Sequence, residues 1–380
     1  MVSPVSFCSV CIVAHGRLVE TSAERHTPDG RARLRAKGAR ARQRSGRKAP
    51  RARCACGIAV HAARQSRLQS AQSLEPLFSE DPAMSESTAA PRQQYVQCLS
   101  PAGLHRIAYT EWGDAANPRV LVCVHGLTRS GRDFDRFAAA MAGEYRVVCP
   151  DVAGRGLSSW LPDPRCYGVA QYVADMVTLI ARTGAEKVDW FGTSMGGLIG
   201  MALAGLPGTP IGRMLLNDVG PHIEPASLAR IGEYVGRDER FATLQEGIDN
   251  AALLAASFGP LSAGEWREIN TPLLHEVEGQ WRYRYDPRIA APLKAATPAQ
   301  NEEGEKYLWR SLAAFGGPVL VVRGALSDLL SRETVAKMVE TGRNVSSVEI
   351  DGVGHAPAFL SADQIAIARR FFDGEALRAS

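Results

Sequence analysis

The stretch DWFGTSMGGLIG, residues 189–200, places one serine between two glycines at the end of an apolar run. KVDW and Phe191 read as a short strand, and LIGMALA (198–204) has the small and apolar residues of a packed helix, so Ser194 falls on the corner between them. A corner this sharp crowds the backbone. Gly192 and Gly196 relieve the crowding and leave the serine hydroxyl raised in the open. Such a pattern also arises by chance, so the order of elements around it has to decide.

On the N-terminal side, YVQCLS and HRIAYTEWG read as two strands around a turn at Pro101 to Gly103. RVLVCVHG (119–126) is a continuous apolar run ending in glycine, the pattern of a strand buried on both faces, and FDRFAAAMAG (134–143) follows with helical spacing. YRVVCPD (145–151), a helix at about 168–183, the strand ending at Phe191, the helix after Ser194 and the strand RMLLNDVG (213–220) continue the alternation. This predicts an α/β fold with a doubly wound, mostly parallel sheet. Residues 221–312 hold helix-like segments and no clear strand, too long for a loop, and are expected to form an inserted helical cap. Strand PVLVVRGA, helix SRETVAKMVETG, strand SSVEID and a helix over 361–372 complete a core expected over 94–220 and 313–380.

In open parallel sheets reactive groups collect beyond the carboxyl ends of the strands. Those ends carry His125, Asp151, Ser194, Asp218 and Asp328, and the last strand is followed by GVGHAP with His355. Serine, acid, histidine in that chain order suits nucleophilic catalysis. The weak hydroxyl nucleophile needs an imidazole to take its proton and a carboxylate to fix the ring's tautomer. Asp328, only 27 residues before His355, is the expected acid, with Asp218 the alternative at another strand end. Met195 offers one backbone N–H to a developing oxyanion, and Leu127 in the loop after the first parallel strand offers the second, with the Thr128 hydroxyl as a helper. His125 is read as structural, orienting that loop.

Through HGLT, GTSMGG, RGALSD and GVGHAP, in this order and spacing, residues 94–375 resemble the α/β-hydrolase family. The resemblance implies a nucleophile at Ser194, an acid at Asp328, a base at His355 and an oxyanion hole at Leu127 and Met195, with no cofactor or metal. It is similar to bacterial esterases and implies a carboxylic ester hydrolase working through an acyl-enzyme, on a hydroxyalkanoate oligomer or a small acyl ester. The alternatives are a carbon–carbon bond hydrolase of a ring-cleavage product and a non-catalytic binding protein on the same fold.

Composition sets the remaining bounds. Residues 1–83 hold 15 basic and 6 acidic side chains, whereas the rest of the chain is net acidic, so the overall charge of +4 belongs to the N-terminal part. Low-complexity Arg/Ala/Gly sequence with 11 basic and no acidic residues over 31–53 predicts a disordered tail across 1–93. Met84 opens MSESTAAPRQQYVQ like an ordinary protein start, which would make the preceding residues upstream translation. No aromatic lies between Arg31 and Arg53 to stack on a base, so no nucleic-acid partner is expected. No apolar run reaches the roughly 18 residues of a membrane span. Of the 8 cysteines, Cys123 and Cys149 fall in apolar strand-like runs as reduced thiols, pointing to a reducing, cytoplasmic setting.

Overall fold

Val120, Val122 and Val124 turn to one side of their strand and Leu121 and Cys123 to the other, and all five are buried. Two separate apolar cores follow from this two-residue period, one on each face of a sheet. The structure, a computed structural model, describes residues 90–375; the tail expected over 1–93 lies, up to residue 89, outside the described residues.

The strands are β1 (Arg92–Ser100), β2 (Gly103–Trp112), β3 (Val120–Val124), β4 (Arg146–Pro150), β5 (Val188–Thr193), β6 (Ile211–Asn217), β7 (Arg240–Phe241), β8 (Leu274–Val277), β9 (Gln280–Tyr283), β10 (Val319–Gly324) and β11 (Val345–Ile350). Eight of them form one sheet in the order β1-β2-β4-β3-β5-β6-β10-β11. The β1–β2 and β2–β4 pairings are antiparallel and the others parallel. The helices are α1 (Asp135–Met141), α2 (Val169–Thr183), α3 (Met195–Ala204), α4 (Pro225–Tyr234), α5 (Leu244–Leu254), α6 (Ala263–Asn270), α7 (Ala290–Ala295), α8 (Pro298–Ala314), α9 (Arg332–Thr341) and α10 (Ala362–Phe372). One core joins side chains of α2, α3 and α8 to Val122 and Trp190; the other joins α1 and α10 to Leu121 and Phe191. In the second, Phe191 meets the edges of Phe134, Phe137 and Phe359 at ring-centroid distances of 5.1, 5.0 and 4.7 Å, geometry favoured by the ring quadrupoles.

The inserted segment between β6 and β10 departs from the all-helical expectation. Besides α4 to α8 it contains a small antiparallel sheet in the order β7-β9-β8. Glu278 and Gly279, both at positive φ (53° and 76°), join β8 to β9. A two-residue loop of that conformation matches the twist of paired strands, a signal hidden by the shortness of the strands LHEV and QWRY around it.

Packing around the β5–α3 corner is what its glycines permit. A Cβ on Gly196 would lie 2.0 Å from the Val124 carbonyl oxygen, and one on Gly192 would lie 2.4 Å from the Gly196 backbone. Gly196→Ala is therefore expected to destabilise the fold by about 3 kcal/mol. Gly316→Ala, where a Cβ meets nothing within 4 Å, should leave the urea midpoint unchanged, and equal midpoints for the two variants would refute the close approach.

At the end of β3, the fully buried His125 donates from Nδ1 to the Gly126 carbonyl (2.7 Å) and accepts at Nε2 from the Val152 N–H (2.9 Å). The ring is thus neutral and ties the loop after β3 to the loop after β4. Burial holds its pKa down to about 3, with the charges of Arg155 and Arg129 adding to the depression. Below its ordinary value of 6.5 the unfolded chain takes up a proton that the folded chain refuses, so this group's contribution is lost as pH falls from 6.5 towards 3. Asp151, whose pKa burial pushes up to about 6 against the pull of the Leu157 and Gly131 N–H groups, acts in the opposite direction, so the comparison has to be with a variant. Between pH 7 and pH 5, His125→Asn should gain about 2 kcal/mol on the wild type in urea unfolding; a pH-independent difference would contradict a neutral ring.

Candidate active site

Ser194 is the corner residue between β5 and α3, held at φ 52° and ψ −117°. Its N–H is tied to the Asn217 carbonyl at the end of β6 (3.0 Å). A non-glycine residue rarely holds such angles unless its surroundings impose them. The conformation lifts the hydroxyl, which donates to Nε2 of His355 at 2.9 Å. On the other side of the ring, Nδ1 donates to Oδ2 of Asp218 at 2.7 Å. Three side chains from three strand ends thus form one hydrogen-bonded line.

The acid in that line is not Asp328. Asp328 points outward, 53% exposed, with its Oδ2 on Nη2 of Arg230 at 2.6 Å. The loop after β10 instead contributes the residue one position earlier: the Ser327 hydroxyl donates to Asp218 Oδ2 (2.6 Å), and the Gly324 N–H donates to Oδ1 (2.9 Å). With the His355 ring these give a fully buried carboxylate three donors, the condition for keeping a charge out of water. Chain separation from His355 favoured Asp328, but sheet order overrides it. β6 lies between β5 and β10, so its carboxyl end delivers Asp218 to the ring from directly beside Ser194.

The backbone N–H of Leu127 makes no hydrogen bond within the described residues, and Met195, first residue of α3, has no acceptor one turn back. Both expected donors are therefore available next to Ser194. Arg155, in the loop after β4, is a residue the sequence analysis did not single out. Its fully buried guanidinium donates from Nε to the Leu127 carbonyl (2.8 Å), from Nη1 to Ala153 O and the Tyr172 hydroxyl, and from Nη2 to Met195 Sδ (3.6 Å). It touches both donor residues; a lone arginine in a glycine loop carries no such signal. Asp151 is likewise structural, its two oxygens accepting from the Gly131 and Leu157 N–H groups at 2.8 Å each.

The inserted segment grips the same loops. Ser257 donates its hydroxyl to the His355 carbonyl, and its own carbonyl accepts from the Gly354 N–H (2.7 Å). Arg129, two residues beyond Leu127, donates to Asn270 Oδ1 (2.9 Å) and the Ile269 carbonyl (3.1 Å) of α6. Between segment and sheet lies a cavity whose walls include Ser194, His355, Phe134, Phe258, Tyr283 and Tyr285. Thr128 also lines it. Tyr283 and Tyr285 stack at 5.8 Å, an apolar wall suited to a small organic ligand. Among the described residues, one group has metal-ligand chemistry: the buried Cys98, His105 and Asp175. It sits on β1, β2 and α2, with His105 Nε2 and Asp175 Oδ1 paired at 2.9 Å, and no residue of the Ser194 line belongs to it. No helix among the described residues is long and apolar enough to cross a membrane.

Comparison with known proteins agrees with this fold. Residues 121–369 match the model of the alpha/beta hydrolase family. Over 291 residues, 76% of this chain and 99% of the relative, the sequence is 60% identical to 3-hydroxybutyrate-oligomer hydrolase of Cupriavidus necator. Esterase YbfF of Escherichia coli is 24% identical over 244 residues, 63% of this chain and 87% of the relative. The crystal structure of an alpha/beta hydrolase from Novosphingobium aromaticivorans superposes with a TM-score of 0.66 at 33% identity, covering 76% of this chain and 99% of that one. The chain is a carboxylic ester hydrolase. From the parallel sheet, the serine corner and the matched family model together, the chain belongs to the alpha/beta hydrolase family.

Proposed function

We propose that the protein cleaves short 3-hydroxyalkanoate esters and oligomers through an acyl-enzyme on Ser194, with His355 as general base and acid and Asp218 as the orienting carboxylate. The observation that carries this reading is the unbroken line from Ser194 Oγ through both ring nitrogens of His355 to Asp218 Oδ2. The 60% identity to a 3-hydroxybutyrate-oligomer hydrolase supports the substrate class. Buried free thiols at Cys98, Cys123 and Cys149 support a cytoplasmic setting.

In this mechanism His355 Nε2 takes the hydroxyl proton as Ser194 Oγ attacks the ester carbonyl, and Asp218 stabilises the imidazolium. The oxyanion settles on the N–H groups of Leu127 and Met195, each worth roughly 2.7 to 4 kcal/mol of barrier. Collapse expels the alkoxide, which takes the proton from Nε2. A water, deprotonated by the same nitrogen, then releases the acid and restores Ser194. The segment over 221–312 acts as a cap that excludes bulk water while Ser257 and Arg129 hold the loops on either side of the serine in register.

With 3-hydroxybutyrate dimer and p-nitrophenyl esters as substrates, Ser194→Ala should lower kcat by about 10⁶. Asp218→Asn should lower it by about 10⁴ through loss of tautomer control, and Asp328→Asn, which removes only an exposed ion pair, by less than about threefold. The reverse ranking of the two aspartates in folded variants would return the acid to Asp328. Arg155→Lys keeps the charge but not the fork that reaches Leu127 and Tyr172 together. It should cut kcat by about a hundredfold with KM little changed, as expected for misplaced oxyanion donors; a loss confined to KM would assign Arg155 to substrate binding instead.

A further inference from the structure

A second cavity meets the first at the nucleophile. Both are lined by Ser194, Leu127 and Ile231, so α4 divides them with Ile231 as the partition. Only the first is lined by His355, and only the second by Met195. Acyl transfer makes that asymmetry meaningful. The leaving alkoxide must reach Nε2 of His355 to be protonated, and the hydrolytic water must later stand there, so the alcohol side belongs in the cavity that His355 lines. The acyl chain then has the other lobe, next to the Met195 N–H that faces its oxyanion.

The walls of that second lobe are chiefly apolar, with Leu198, Ile223, Leu228 and Leu293 among them. Lys294 at the exposed end of α7 and Asn301 in the first turns of α8 are the polar exceptions besides Ser194 and a Tyr172 already committed to Arg155. The Asn301 carboxamide makes no hydrogen bond among the described residues, and its buried Oδ1 has no partner. An unpaired amide against an apolar wall costs stability. A few polar groups on an apolar pocket are what fixes a ligand's orientation.

Resting on the ester-hydrolase reading above, we propose that this lobe is the acyl site and that Asn301 recognises the hydroxyl of a short 3-hydroxyacyl chain. The amide can donate or accept, and so can the hydroxyl, so the pair satisfies both groups once water has left. A site built to hydrogen-bond a substrate hydroxyl penalises the analogue lacking it, because its own polar group is then left unpaired.

The test compares p-nitrophenyl 3-hydroxybutyrate with p-nitrophenyl butyrate, which share a leaving group and so differ only in the proposed lobe. The wild type should favour the hydroxy ester in kcat/KM by about tenfold, and Asn301→Leu should bring the ratio to within about twofold of unity. Leu228→Trp, which fills the lobe, should lower the kcat/KM ratio of p-nitrophenyl hexanoate to acetate by about tenfold. It keeps the inference testable should Asn301→Leu fail to fold. An absent preference in the wild type, an unchanged ratio in Asn301→Leu, or an unchanged chain-length ratio in Leu228→Trp would each overturn the assignment. A wild type that hydrolyses none of these esters would instead overturn the ester-hydrolase reading itself.

Discussion

The carboxylate of Asp218 is a full charge taken completely out of water, and much of the site is arranged to make that tolerable. Its oxygens receive a backbone N–H from the end of β10, a hydroxyl from Ser327 and the ring N–H of His355. Burial of a carboxylate is affordable only when each such donor is in place. That requirement fixes where the loop after β10 turns, how the final loop presents His355, and the positive φ that Asp218 itself adopts at the end of β6. The serine corner then has only to meet a ring whose position is already determined.

Around this polar line the sheet supplies stiffness from both faces. The aromatic cluster at Phe191 backs the strand that ends in the serine, and Trp190 on the opposite face reaches under α3, its Nε1 donating to the Gly196 carbonyl at 3.1 Å. The two neighbouring residues of one strand therefore anchor the corner from opposite sides. The bonds of Arg155 add a third constraint from the loop after β4, so Leu127, Met195 and Ser194 are referred to one rigid frame.

Much of this was legible in the chain itself. Continuous apolar runs at β3 and β10 gave the buried parallel strands, and the glycines around Ser194 gave the corner, because close backbone approach leaves glycine as the residue that fits. That Ser194, His355, Leu127 and Met195 would lie near one another was legible for the same reason: each falls just beyond the carboxyl end of a strand. The acid was not. Asp218 and Asp328 both follow strands, and only the lateral order of strands, which is a long-range property, distinguishes them. The roles of Arg155, Ser257 and Asn270 were hidden more deeply, since each depends on what the folded chain brings opposite it. The β8–β9 hairpin escaped notice because its strands are four residues each, too short for their alternation to stand out among helices.

The hydrogen bonds from Ser257 to the His355 loop and from Arg129 to α6 have a consequence for how such an enzyme can change over time. A cap joined to its core only through apolar contact could be exchanged like a cassette, altering which substrates enter while the chemistry stays intact. Here the inserted segment carries part of the scaffolding of the His355 loop and of the loop after β3. A transplanted cap would have to arrive with its own equivalents of Ser257 and Asn270, so new specificities are more accessible through single replacements in the walls of the two lobes than through wholesale recombination.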